Sequence, residues 1–166
     1  MSIFLNIKKV ISRWRHGRGF GVHSPFAYRF ITEVLRQPYG YYAYRELRGD
    51  DHSRLVFRIV LALRPASVAL VDCPQYKRAV KAAAPKAATV SPDKAALVIM
   101  DAAGRSAYNP ALGSSRHLIL LNHTSSAAWN DYCRAMEAGM TFANRSTVAV
   151  AVALPHLPRQ DFDVNF

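Results

Sequence analysis

Three polar positions stand where apolar runs stop. Asp72 ends Ser67-Val68-Ala69-Leu70-Val71, Asp101 ends Ala95–Met100, and Asn122-His123 follows His117–Leu121. A carboxylate at such a place can hold the hydroxyls of a ligand, and an imidazole can take a proton from an attacking group. Plainer uses stand beside these. Asp72 and Asp101 can cap the turns that follow them, and His123 can cap the next turn beside Thr124 and Ser125. A second set is basic: Lys8, Lys9, Arg13, Arg15 and Arg18 fall close together, with no acid before Glu33. Such a cluster suits a polyanion, either nucleic acid or an anionic membrane surface, or else the solvated face of a packed helix. No metal is expected. Cys73 and Cys133 do not make a zinc set, and a lone His with one Asp is a poor magnesium site.

The elements that would position these residues follow from hydrophobic pattern. Apolar runs without polar alternation suit strands buried on both faces, as in a parallel sheet covered by helices. Ligands of such sheets sit beyond the carboxyl ends of the strands, where Asp72, Asp101 and His123 would lie. The spacing predicts strands at Ser67–Val71, Ala88–Val90, Ala95–Met100 and Leu118–Leu121. It predicts two more at Met140–Asn144 and Thr147–Ala153, forming an antiparallel hairpin. Alternation at Phe162, Val164 and Phe166 suggests an edge strand.

Helices are predicted between and before these strands. Residues 2–16 read as a basic amphipathic helix with Ile3, Ile7, Val10, Ile11 and Trp14 on one face. The glycines at 17, 19 and 21 make a tight or flexible link, with His23 structural beside it. Ser24-Pro25 is a helix start, a capping hydroxyl followed by proline in the first turn. That helix should run to Arg36. Tyr39–Tyr44 holds four tyrosines beside Arg45 and Arg48, a set that can stack bases or seal a domain edge. Ser53 should cap a helix through Leu63. Pro74 should open one through Ala84, and another should span Ser125–Ala138.

Composition sets the class. The chain has 166 residues, 51% of them hydrophobic and 20% charged, enough for one compact domain with a core. The net charge is +11. Residues 1–64 carry twelve Lys/Arg against four Asp/Glu, and residues 65–166 carry ten against seven. No run reaches the roughly 18 apolar residues that span a bilayer. The expected location is the cytoplasm, with peripheral membrane attachment through residues 2–16 as a variant.

Gly19-Phe20-Gly21-Val22-His23-Ser24-Pro25-Phe26 resembles the N-terminal signature of a bacterial branch of the class I S-adenosylmethionine-dependent methyltransferases. The tyrosine-rich segment matches that branch in kind. Val98-Ile99-Met100-Asp101 is similar to its strand with an Asp in the cleft, and Arg159-Gln160-Asp161-Phe162 and Phe166 are similar to its ending. The resemblance implies a three-layer, Rossmann-like α/β fold: a mostly parallel sheet with a C-terminal antiparallel hairpin. Residues 65–166 would be the core, and residues 1–64 a basic helical region packed on it. The resemblance also implies S-adenosylmethionine as cofactor, with Asp72 on its ribose and Asp101 lining the cleft. Against tight cofactor binding stands Asp72-Cys73-Pro74-Gln75, which has no glycine where the class has a glycine-rich loop. Asp72 then resembles the acid of the class's second strand, as though the first βα unit were lost.

Two functions from different classes follow. One is a degenerate, non-catalytic binding or assembly module that works through Lys8, Lys9, Arg13, Arg15 and Arg18. The other is an active methyltransferase with a reduced cofactor site, a small-molecule acceptor and His123 as base. A second copy of the chain is a further candidate partner.

Overall fold

The computed structural model describes residues 24–47, 50–106, 108–110, 116–123, 127–144 and 147–166. Seven strands form one mixed sheet: β1 (Ser67–Val71), β2 (Ala88–Thr89), β3 (Leu97–Asp101), β4 (His117–Leu121), β5 (Met140–Ala143), β6 (Val148–Val152) and β7 (Gln160–Asp163). The order is β2-β1-β3-β4-β6-β5-β7. The pairs β2–β1, β1–β3 and β3–β4 are parallel, and β6 runs antiparallel to both β4 and β5. The edge strand β7 runs parallel to β5.

The apolar runs produce this sheet for the expected reason. Leu97–Met100, Leu118–Leu121 and Val148–Val152 are buried along their whole length. Alternate residues feed two cores. Val68, Leu97, Ile99, Ile119, Leu121, Val148 and Val150 meet the helices of one face, and Ala69, Val98, Met100, Leu118 and Leu120 meet the other. The second face carries many alanines, so Tyr132 and Met136 come close to the sheet.

The first face is covered by α1 (Pro25–Arg29), α2 (Asp51–Leu63) and α3 (Lys77–Ala83). Ser24 caps α1, its hydroxyl accepting from the Ala27 amide at 3.3 Å. From Phe30 to Leu35 the helix widens to π geometry, and the Arg36 amide reaches Ile31 O. Arg58 of α2 closes that end: its Nε donates to Val34 O at 2.6 Å and its Nη2 to Leu35 O at 3.0 Å. The other face is covered by α4 (Ala127–Ala135).

Several boundaries differ from the sequence expectation. Asp50, not Ser53, caps α2, accepting from the His52 and Ser53 amides at 3.1 and 3.2 Å. The Ser53 hydroxyl also donates to Asp50 at 2.7 Å, so it supports the cap from inside the first turn. Burial opposes the ionisation of Asp50, and these donated hydrogen bonds outweigh it, holding the carboxyl below its ordinary range. After Pro74 comes a 3-10 turn (Pro74–Tyr76) and then the short α3, in place of one helix. The last strand begins at Gln160 instead of Phe162. There Phe162 stacks on Phe142 at 5.3 Å, and Val164 beyond the strand is fully buried. No described helix is long and apolar enough to cross a membrane.

Candidate functional site at the strand tips

The strand order runs outward both ways from the β1–β3 pair, so the carboxyl ends of these two strands flank a topological switch point. Asp72 leaves β1 there and Asp101 ends β3. Asp72 and Asn122 both lie in the left-handed region, with φ of 56° and 53°. Asp and Asn tolerate that region better than other side-chain-bearing residues, because their short polar groups bond locally. The chain thus turns sharply off the sheet at two of the four parallel strand ends.

The two carboxylates are held by the protein itself. Asp101 Oδ1 accepts from the Ala103 amide at 2.9 Å and from Asn122 Nδ2 at 2.7 Å. Asp72 Oδ2 accepts from the Ser106 amide at 2.7 Å. The segment after β3 therefore crosses over to the tip of β1. Gly104 makes that crossing possible: a Cβ at this position would overlap the Asp72 side chain. Asp72, the 104–106 segment, Asp101 and Asn122 form one linked group. Asn122 and Gly104 stand in the sequence at the ends of their apolar runs. Ser106 has no local signal, because only its backbone is used.

His123 turns another way. Its Nε2 lies 2.6 Å from Asn144 O, and a carbonyl only accepts, so Nε2 carries the proton. Its amide donates to Thr147 O at 3.3 Å, and its ring packs 6.2 Å from Trp129. These partners tie His123 to the β5–β6 hairpin, leaving Nδ1 as the nitrogen with a lone pair. Cys73, next to Asp72, is fully buried and donates to Ile99 O at 3.2 Å. Burial, with the nearby carboxylates, pushes its thiol up to about 12. Its side chain packs in the core beneath the strand tip.

The cofactor implied by the resemblance would meet Asp72 already engaged by the chain itself. A ribose held by Asp72 would share its carboxylate with the Ser106 amide, which already donates to Oδ2, and would lie beside the 104–106 segment packed against that side chain. No reaction step is derived through it. Among the described residues, no group of three or more His, Cys, Asp or Glu side chains could hold a metal ion. Lys8, Lys9, Arg13, Arg15 and Arg18 lie outside the described residues.

Two cavities open on this side of the sheet, and neither carboxylate lines them. One, of about 490 Å³, lies between the start of α2 and Pro74–Ala79 and mixes Glu46 and Asp50 with Lys77 and Arg78. The other, of about 460 Å³, lies between the tyrosine segment, α2 and the start of β6. Tyr39, Tyr44, His52, Arg54 and Asn144 are among its walls. These come from separate stretches of chain, and only the tyrosines were conspicuous in the sequence. Compared with protein-family models, with curated proteins and with solved structures, the chain finds no match.

Proposed function

We propose that the chain is a degenerate methyltransferase-like protein on a Rossmann-like scaffold, acting as a non-catalytic binding or assembly module. The observation that carries this reading is the Asp72 carboxylate, bound by the Ser106 amide beneath Gly104. A working cofactor site keeps the crevice at the switch point open to its ligand. Here the chain's own backbone already engages Asp72, which supports a reduced site. The doubly directed strand order supports the Rossmann-like assignment, and function is then read from the site and not from the fold.

The working surface on this reading is the basic N-terminal third, with Lys8, Lys9, Arg13, Arg15 and Arg18 meeting a polyanion. Calorimetry with S-adenosylmethionine and S-adenosylhomocysteine tests the first half, and no heat of binding is expected at millimolar ligand. Micromolar binding lost in Asp72→Ala would overturn it and favour the enzyme, with His123 as base. Oligonucleotides and anionic vesicles test the second half. Affinity should fall steeply with salt through counterion release. It should weaken strongly when Lys8, Lys9, Arg13 and Arg15 become glutamine. Binding that survives that replacement leaves the charge as a solubilising face only. A blue shift of Trp14 fluorescence, read in a Trp129→Phe background, marks lipid. Quenching of tyrosine marks nucleic acid.

A further inference from the structure

The groove between the tyrosine segment, α2 and β6 contains two arginines used in opposite ways. Arg58 spends its guanidinium on the fold: Nε and Nη2 bind the carbonyls that end the π segment, and Nη1 donates to the Tyr44 hydroxyl at 3.2 Å. Arg54, one turn earlier, does not. Its Nη1 lies 3.6 Å from Asp51 Oδ1, a loose pair whose carboxylate is 94% exposed. Its Nε is buried and has no hydrogen-bond partner among the described residues. The guanidinium sits over the Tyr44 ring, 5.4 Å from its centre. Arginine offers five donors in a planar fork matched to carboxylate and phosphate. A fork with one loose partner, on the wall of a cavity, has capacity for an oxyanion.

The rest of the groove suits the ligand's other end. Tyr39 lines it and is 75% exposed, the kind of aromatic face on which a planar ring stacks. His52, also on the wall, is fixed by its Nε2, which pairs with Thr147 Oγ1 at 3.1 Å. The volume of about 460 Å³ is within the usual range for small-molecule sites. We propose that this groove binds a small planar ring bearing one oxyanion group, the anion on Arg54 and the ring against Tyr39. The site is separate from the strand tips and does not depend on the reading above.

The test is equilibrium binding to the full chain, followed by calorimetry at low salt. Adenosine 5′-monophosphate, phenyl phosphate and benzoate are the probes. At least one should bind, and the set separates nucleotide, simple aryl phosphate and aryl carboxylate. For whichever binds, the uncharged counterpart (adenosine, phenol or benzyl alcohol) should bind at least tenfold more weakly. So should the bare anion, inorganic phosphate or acetate. Arg54→Gln should lower affinity at least tenfold, and Tyr39→Ala about threefold. Lys86→Gln and Lys94→Gln should change nothing. Tyr39 is too exposed for its loss to unfold the protein, and circular dichroism checks Arg54→Gln. Arg54→Lys, which keeps the charge and loses the fork, replaces it if needed. Absence of binding by all three probes overturns the proposal. So does equal binding of the bare anion, or affinity unchanged in both Arg54 and Tyr39 variants.

Discussion

Gly104→Ala tests how the strand tips are held. A Cβ on Gly104 would overlap the Cβ, Cγ and Oδ2 atoms of Asp72. Relief requires the Asp72 side chain to move, and its carboxylate then leaves the Ser106 amide. A hydrogen bond to a charged group contributes about 1.5–3 kcal/mol, and the exposure of Asp72 puts this one at the low end. Overpacking adds roughly 1–3 kcal/mol in a packed core, and the low end applies to these two exposed residues. Against these, alanine for glycine at a compatible backbone stabilises by about 0.4–1 kcal/mol through the unfolded chain. The net expectation is a loss of about 2 kcal/mol. Asp72→Gly removes the overlapped atoms and also relieves the left-handed backbone at φ 56°. In that background Gly104→Ala should be neutral, or stabilising by about 0.5 kcal/mol. The coupling between the two positions is therefore roughly 2 kcal/mol. Urea unfolding followed by circular dichroism reads it as a shift of midpoint at constant slope. An equal loss in both backgrounds would refute the contact between Gly104 and Asp72 as the thing that pins the crossing segment.

Three further outcomes are expected. Asp50→Ala removes the cap of α2 and should cost about 1 kcal/mol by the same urea assay, whereas Asp51→Ala should cost much less. His117 accepts from the Ala153 amide at 3.2 Å through Nδ1, and burial holds its pKa below the ordinary 6.5. The unfolded chain thus protonates first as pH falls, so stability should be full above pH 6.5 and drop as the solution is acidified below it. His117→Gln should flatten that part of the urea midpoint profile. Burial raises the Cys73 and Cys133 thiols to about 12 and about 11, so a disulfide reagent at neutral pH should label the native protein slowly and the unfolded protein fast.

The strands at Ser67–Val71, Leu97–Asp101 and His117–Leu121 were legible because burial on both faces leaves a continuous apolar run. Their parallel pairing followed from the helix between the first two. The hairpin of β5 and β6 was legible from two apolar runs joined by Arg145-Ser146. One failure was a choice between neighbours, and the others turned on a partner outside the local pattern. Asp50 and Ser53 are both acceptable caps by residue type, and the amide hydrogen bonds that Asp50 accepts decide which one starts the helix. The π segment depends on Arg58, which reaches back from the next helix. The placement of β7 depends on Phe162 meeting Phe142. At the site, the positions of Asp72 and Asp101 at strand tips were readable. The backbone crossing through Gly104 and Ser106 was not, because an amide carries no residue signature. The Arg54 groove draws on stretches too far apart for spacing to reveal.

The place of β6 sets a timetable for synthesis. It lies between β4 and β5 although both are made before it. β5 has no seat beside β4, whose partner is β6, so β5 joins the sheet only with β6 or after it. Until then β4 offers Leu118–Leu121 along an open side, with its hydrogen-bonding groups unpaired toward the missing neighbour. About thirty residues separate the end of β4 from the end of β6. At roughly 5–20 residues per second a ribosome needs about 1.5–6 s to supply them. During those seconds the nascent chain can be captured by a foreign strand, a hazard that grows as translation slows and does not depend on the stability of the finished sheet.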